Sequence, residues 1–147
     1  MSSVEREQTR YKVSTLTLTG TGTAMNSARN FRKYKVWQDA VDFATLVYEV
    51  TSKLPWFEKK GLCDQLQRAA VSISSNIAEG SAKPSDVEFA HFLDHSIGSA
   101  FEVETQLLIA KNVKYLTPEL YQELLSKLEE IEKQLHGLSN TLRKENS

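Results

Sequence analysis

Lys53, Lys59, Lys60, Lys111 and Lys114, interleaved with Trp56, Phe57 and Tyr115, are the residues of this 147-residue chain whose types best suit chemistry, and that chemistry is binding. Lysines neutralise phosphates and aromatic rings stack on unpaired bases. A second basic set comprises Arg29, Arg32, Lys33, Lys35, Lys83, Arg143 and Lys144. The chain as a whole does not advertise such a role. Its 18 Lys and Arg stand against 19 Asp and Glu, a formal net charge of −1. Nucleic-acid-binding domains usually have a pI above about 9. The position of the charges therefore matters more than their sum.

Catalytic chemistry finds little support. Glu88-x-x-His91 matches half of a di-iron bundle motif, which needs a second such pair and further carboxylates. The third histidine, His136, has Lys133 three places before it. His91 and His95 have the spacing of a zinc-protease helix, but Phe92 takes the place of its glutamate base. The 6 glycines make no phosphate-binding loop and no serine sits in a Gly-x-Ser-x-Gly elbow. Cys63 is alone, so no intrachain disulfide can form, and its apolar neighbours predict a buried thiol. The expectation is a protein that is not an enzyme, with no metal and no cofactor.

The elements that position these residues are helical. Val36, Ala40, Phe43, Val47, Val50 and Leu54 follow 4-3-4-3-4 spacing, one sustained core stripe. Trp37, Val41, Ala44 and Tyr48 form a second stripe, more apolar face than a monomeric bundle needs. Leu54-Pro55 predicts the end of this helix. Leu62, Leu66, Ala69, Ile73 and Ile77 mark a second helix rich in small residues, with Gly80 as its expected stop. Ser85 to Glu88 reads as a capping box opening a third helix, with Phe89, Phe92, Ile97, Ala100, Val103, Leu107 and Ala110 inward. Thr117-Pro118-Glu119 opens a fourth, whose stripe runs from Leu120 to Leu142. Four long helices with short connections predict an all-α, up-down-up-down four-helix bundle over residues 29–147.

Residues 1–28 differ. Their Thr, Ser and Gly content predicts a flexible N-terminal extension, with a short strand around Tyr11 to Leu18 as the alternative. Met25 is the expected natural start. No apolar run approaches the roughly 18 residues of a membrane helix, and no secretory signal is visible. Both absences point to the cytoplasm.

In that bundle the first and third connections share one end. It collects the lysine and aromatic set, and the opposite end collects the second basic set, while the acids fall along the helix bodies. Lysines near helix C-termini complement the helix dipole, and Trp56 and Phe57 would serve equally as a plug for the bundle end. The set from Arg29 to Lys35 is less easily explained that way, because cations at a helix N-terminus oppose the dipole.

Gly61 to Gly80, GLCDQLQRAAVSISSNIAEG, resembles the signature of a bacterial family of four-helix-bundle proteins. The family includes proteins encoded in intervening sequences of 23S ribosomal RNA genes. A related branch is the accessory variability determinant of diversity-generating retroelements. Lys35-Val36-Trp37, Phe92-Leu93, Ser99, and Glu102, Glu104, Thr105 and Gln106 extend the resemblance over about Phe31 to Arg143. It implies homopentamers with the second stripe of the first helix and the small-residue face of the second buried between subunits. Trp37, Tyr48, Arg68, Asn76 and Glu79 are the expected interface residues. The expected role is a nucleic-acid or ribonucleoprotein accessory factor binding RNA or DNA through the two basic ends. The alternative is a protein scaffold, for example for a reverse transcriptase. The chain departs from the family in having Ser74 where relatives often have proline, and Gln67 before Arg68 where they often have two arginines.

Overall fold

The computed structural model describes residues 29–145. The expectations for residues 1–28, including the short strand and the start at Met25, lie outside the described residues. The chain divides after Asn30, and its helical unit begins at Phe31. Four helices follow: α1 Lys35–Thr51, α2 Leu62–Ser81, α3 Asp86–Asn112 and α4 Pro118–Lys144. Short 3-10 turns at Phe31–Lys33 and Trp56–Glu58 precede α1 and α2. There is no strand among the described residues.

Local chemistry sets the helix starts. Ser85 Oγ accepts the Glu88 N–H at 3.1 Å, and Thr117 Oγ1 accepts the Leu120 N–H at 3.1 Å, with Pro118 in the first turn. Each satisfies an amide that would otherwise lack a partner. α1 stops at Thr51, short of Leu54. Lys53 N–H bonds to Val50 O and Leu54 N–H to Thr51 O, so the chain tightens before Pro55 forces it out of the helix.

Gly80 is not the stop of α2. It lies inside the helix, buried, with no positive φ. A Cβ there would sit 2.6 Å from Phe92 Cβ and 2.9 Å from Phe89 Cδ1. The residue is glycine because α3 comes too close for anything larger. Phe92 is likewise not a core residue. Leu93 and Ser96 take the inward positions beside Phe89 and Ile97, and Phe92 is half-buried at the rim.

Each helix packs on two others: α1 and α3 each touch α2 and α4. Ser99 Oγ bonds Ser72 Oγ at 2.9 Å, while further along α2 Gly80 abuts Phe92. Arg143 reaches Asp94, the Phe101 ring lies beside His136, and Lys111 lies over the Tyr121 ring. Numbers rise on one helix as they fall on its neighbour, so α2 and α3, and α3 and α4, run antiparallel. The core between them is mainly aliphatic: Leu66, Ile73, Ile77, Leu93, Val103, Leu107, Leu124, Leu128, Ile131 and Leu135 are at most 2% exposed, as are Phe43 and Phe89.

Candidate nucleic-acid interface

The connection from α1 to α2 carries most of the candidate end. Pro55 opens the 3-10 turn, and Glu58 N–H bonds to Pro55 O at 2.9 Å, Lys59 N–H to Trp56 O and Gly61 N–H to Glu58 O. Glu58 then anchors the turn twice. Its Oε2 accepts the Leu62 N–H at 3.1 Å and its Oε1 accepts the Tyr115 hydroxyl at 3.2 Å. The second bond joins this turn to the α3–α4 connection, so Lys114 is held at the same end as Lys59 and Lys60. Burial raises the Tyr115 hydroxyl pKa, helped by this bond and the Glu58 charge.

Trp56 and Phe57 do not plug the bundle. Leu116 belongs to the buried core at that end and Leu54 packs against it, and both line one small cavity with Leu66, Leu107 and Leu124. Trp56 is 86% exposed and Phe57 60%, with ring centroids 6.1 Å apart and planes at 80°. Lys53, Lys59, Lys60 and Lys114 are exposed, and no ion pair among the described residues involves them. Lys111 is half-buried, its ammonium 4.9 Å from the centre of the Tyr121 ring.

Four residues of the opposite basic set, Arg32, Lys35, Lys83 and Arg143, are engaged within the chain. Lys35 bonds Asp39 at 2.6 Å, which answers the unfavourable dipole at the start of α1; Asp39 also accepts from Gln134 of α4 at 2.9 Å. The Lys35 bond raises that ammonium's pKa. Burial opposes ionisation of Asp39, but Lys35 and Gln134 outweigh it and hold the carboxyl below its usual range. Arg143 grips Asp94 with two nitrogens, Arg32 lies 4.4 Å over the Phe31 ring, and Lys83 lies 5.1 Å from the Phe92 ring. Lys33 is exposed, and Arg29 precedes the helical unit.

The expected interface residues are divided. Tyr48 and Val41 are exposed on α1, whereas Trp37 packs against the core and edge-on to Phe31 at 5.0 Å. Arg68 pairs with Asp64 on the α2 surface, and Glu79 is exposed. Much of the small-residue face of α2 is used inside the chain: Ala69 and Ala70 are buried and Ser72 meets Ser99 of α3. Asn76 Nδ2 donates to Ser72 O at 2.8 Å and Ser72 Oγ at 2.9 Å, so it steadies that α2–α3 contact. Asn76→Leu is expected to cost about 1 kcal/mol and to alter assembly. Unchanged melting and sedimentation profiles would contradict that.

Cys63 is buried, 3.6 Å from Thr51 O; burial first, then the Glu58 charge, raises its pKa. His91 and His95 are exposed with rings 5.0 Å apart. No group of three or more His, Cys, Asp or Glu among the described residues is arranged to hold a metal. No described helix is long and apolar enough to cross a membrane.

Sequence reasoning passed over Glu132. It is 7% exposed on α4, and its Oε2 has no partner among the described residues. Burial, then a hydrogen bond to Glu104 and the charges of Glu104 and Glu129, push it up to about 7. The signal was available: Glu132 lies four residues after Leu128 and three before Leu135, in the register of the core stripe.

Residues 32–137 match the model of the family described as 23S rRNA-intervening sequence protein. Among solved structures, the chain is similar to a protein of unknown function from the S23 ribosomal protein family of Bacteroides thetaiotaomicron. The two share 25% identity and a TM-score of 0.67, over 71% of this chain and 95% of that one. Comparison with curated proteins gives no match. Most of the chain is covered by the family model, and the solved relative has the same fold: this chain belongs to the 23S rRNA-intervening sequence protein family.

Proposed function

We propose that this protein is a cytoplasmic, non-enzymatic accessory factor for nucleic acid or a ribonucleoprotein, acting as a ring-like homo-oligomer, a pentamer. One observation carries the reading. Lys53, Lys59, Lys60 and Lys114 are exposed at one end of the bundle, and no described acid pairs with them. Charges with no structural partner are free to neutralise phosphates, and a ring would repeat them about its axis and multiply affinity. The family name, which ties its members to an rRNA intervening sequence, supports the same reading. The opposite end is the weaker candidate, since Lys35 and Arg143 already hold acids.

The second reading is a scaffold for a partner protein such as a reverse transcriptase. Exposed Val41, Tyr48 and Val71 on α1 and α2 favour it, or serve the oligomer. The test is binding of labelled single-stranded RNA, hairpin RNA and duplex DNA across a salt series, with the oligomer checked by light scattering. Lys59→Glu with Lys60→Glu is expected to weaken single-stranded RNA binding about tenfold or more, and to lower the salt slope by about 1.4. No binding to any of the three at low salt leaves the scaffold as the better reading.

A further inference from the structure

We infer that the lysine-bearing end is built for unpaired bases: Trp56 and Phe57 stack on bases of a single strand while Lys59, Lys60 and Lys114 hold the flanking phosphates. This rests on the function proposed above and narrows its ligand to a loop or a single-stranded tail.

Free charge alone would serve any polyanion; the aromatic pair is what discriminates. At this end Leu116 and Leu54 pack into and against the core, whereas Trp56, 86% exposed, and Phe57 take no part in it. An exposed indole of this size marks a binding surface more often than a scattered surface residue does. The two ring planes stand at 80°, so they present faces in different directions. A base can lie on such a face only if it is out of a helical stack, because in a duplex both faces of each base are already covered.

The platform is also held in place before any ligand arrives. Pro55, the turn's own backbone bonds, and the two bonds of Glu58 to Leu62 and Tyr115 fix the backbone that carries the rings. Less order then has to be gained on binding.

Lys114 gives an independent reason to regard this end as selected for cations. Its φ is 69°, and it is the one positive-φ residue other than glycine among the described residues. Tyr115 N–H bonds to Ala110 O and Lys114 N–H to Lys111 O, both at 2.9 Å, the closure of a helix C-terminus that favours glycine at Lys114. A lysine there costs stability that glycine would recover. Its side chain makes no ion pair among the described residues, so no contact within the fold offsets that cost.

An anionic lipid surface also suits tryptophan beside lysines, but membrane-surface binding generally uses the long apolar face of an amphipathic helix. Here the aromatics sit on a 3-residue turn.

The deciding experiment measures anisotropy of a labelled 12-nucleotide single strand and its 12-base-pair duplex on the full chain, with phosphatidylserine vesicles as a third arm. The wild type is expected to bind the single strand about tenfold more tightly than the duplex at equal salt. Trp56→Ala should weaken single-strand binding about tenfold and leave the salt slope unchanged, because stacking releases no counterions. Lys114→Gly should weaken binding and lower the slope by about 0.7 while raising the melting temperature, so misfolding cannot explain its loss. Equal affinity for strand and duplex, untouched by Trp56→Ala, overturns this inference and leaves the proposed function standing. Failure of the wild type to bind any nucleic acid overturns both. Trp56-dependent binding to vesicles alone overturns both in favour of a lipid surface.

Discussion

Gly80→Ala is expected to destabilise the bundle by about 2 kcal/mol, read as a lower urea midpoint at unchanged slope. Alanine is the better helix former by about 1 kcal/mol, so propensity alone predicts the opposite sign. Packing reverses it. The new methyl would stand 2.6 Å from Phe92 Cβ and 2.9 Å from a ring carbon of Phe89. A Cβ cannot rotate aside, so α2 and α3 must separate and loosen contacts along the seam. Gly98 of α3 and Gly137 of α4 provide the contrast, since a Cβ at either meets nothing within 4 Å. Alanine at those positions is expected to stabilise by roughly 0.5–1 kcal/mol. If Gly80→Ala also stabilises, the close approach of the two helices is wrong.

Glu132→Gln is expected to stabilise the protein by about 2 kcal/mol at pH 8 and by only about 0.5 kcal/mol at pH 5. The folded Glu132 carboxyl titrates at about 7, above its ordinary 4.5. The folded state therefore holds the proton more tightly than the unfolded chain. Stability from this group is complete below about pH 4.5, falls as pH rises through the window to about 7, and is flat above it. The full shift would be worth about 3 kcal/mol, and the cost of burying the glutamine amide in its place reduces the gain. Glutamine keeps a hydrogen-bond donor toward Glu104 and cannot ionise, so the variant should lose the pH dependence across that window. Urea melts at pH 5 and pH 8 measure both arms. Equal effects at the two values would mean Glu132 does not titrate with Glu104 in the way its position implies.

These two residues also mark the limits of pattern reading. Gly80 follows an apolar stripe and precedes a helix-breaking stretch, so the sequence suggests a stop; only the approach of Phe89 and Phe92 explains it. Glu132 lies in the core register of α4, but its raised pKa depends on Glu104 of α3, which only the fold brings beside it. The same holds for Phe92, which fits a helical spacing but loses the inward position to Leu93. Spacing locates a stripe to within a residue, and packing chooses which residue occupies it.

By itself the sequence determined the four helices, the caps at Ser85 and Thr117, the buried aliphatic stripes and the family signature. Each depends on residues within a turn or two of one another, where side-chain spacing and side-chain-to-backbone bonds are local. Lys35 and Asp39 pair locally, four residues apart on α1, but tertiary structure decided the rest of which basic residues remain available. Asp39, which holds Lys35, is itself held by Gln134, 95 positions away. Asp94 engages Arg143 across 49 positions, and Tyr115 ties Glu58 in place across 57. Charge is a property of composition, but its availability depends on the partners the fold brings within hydrogen-bond reach.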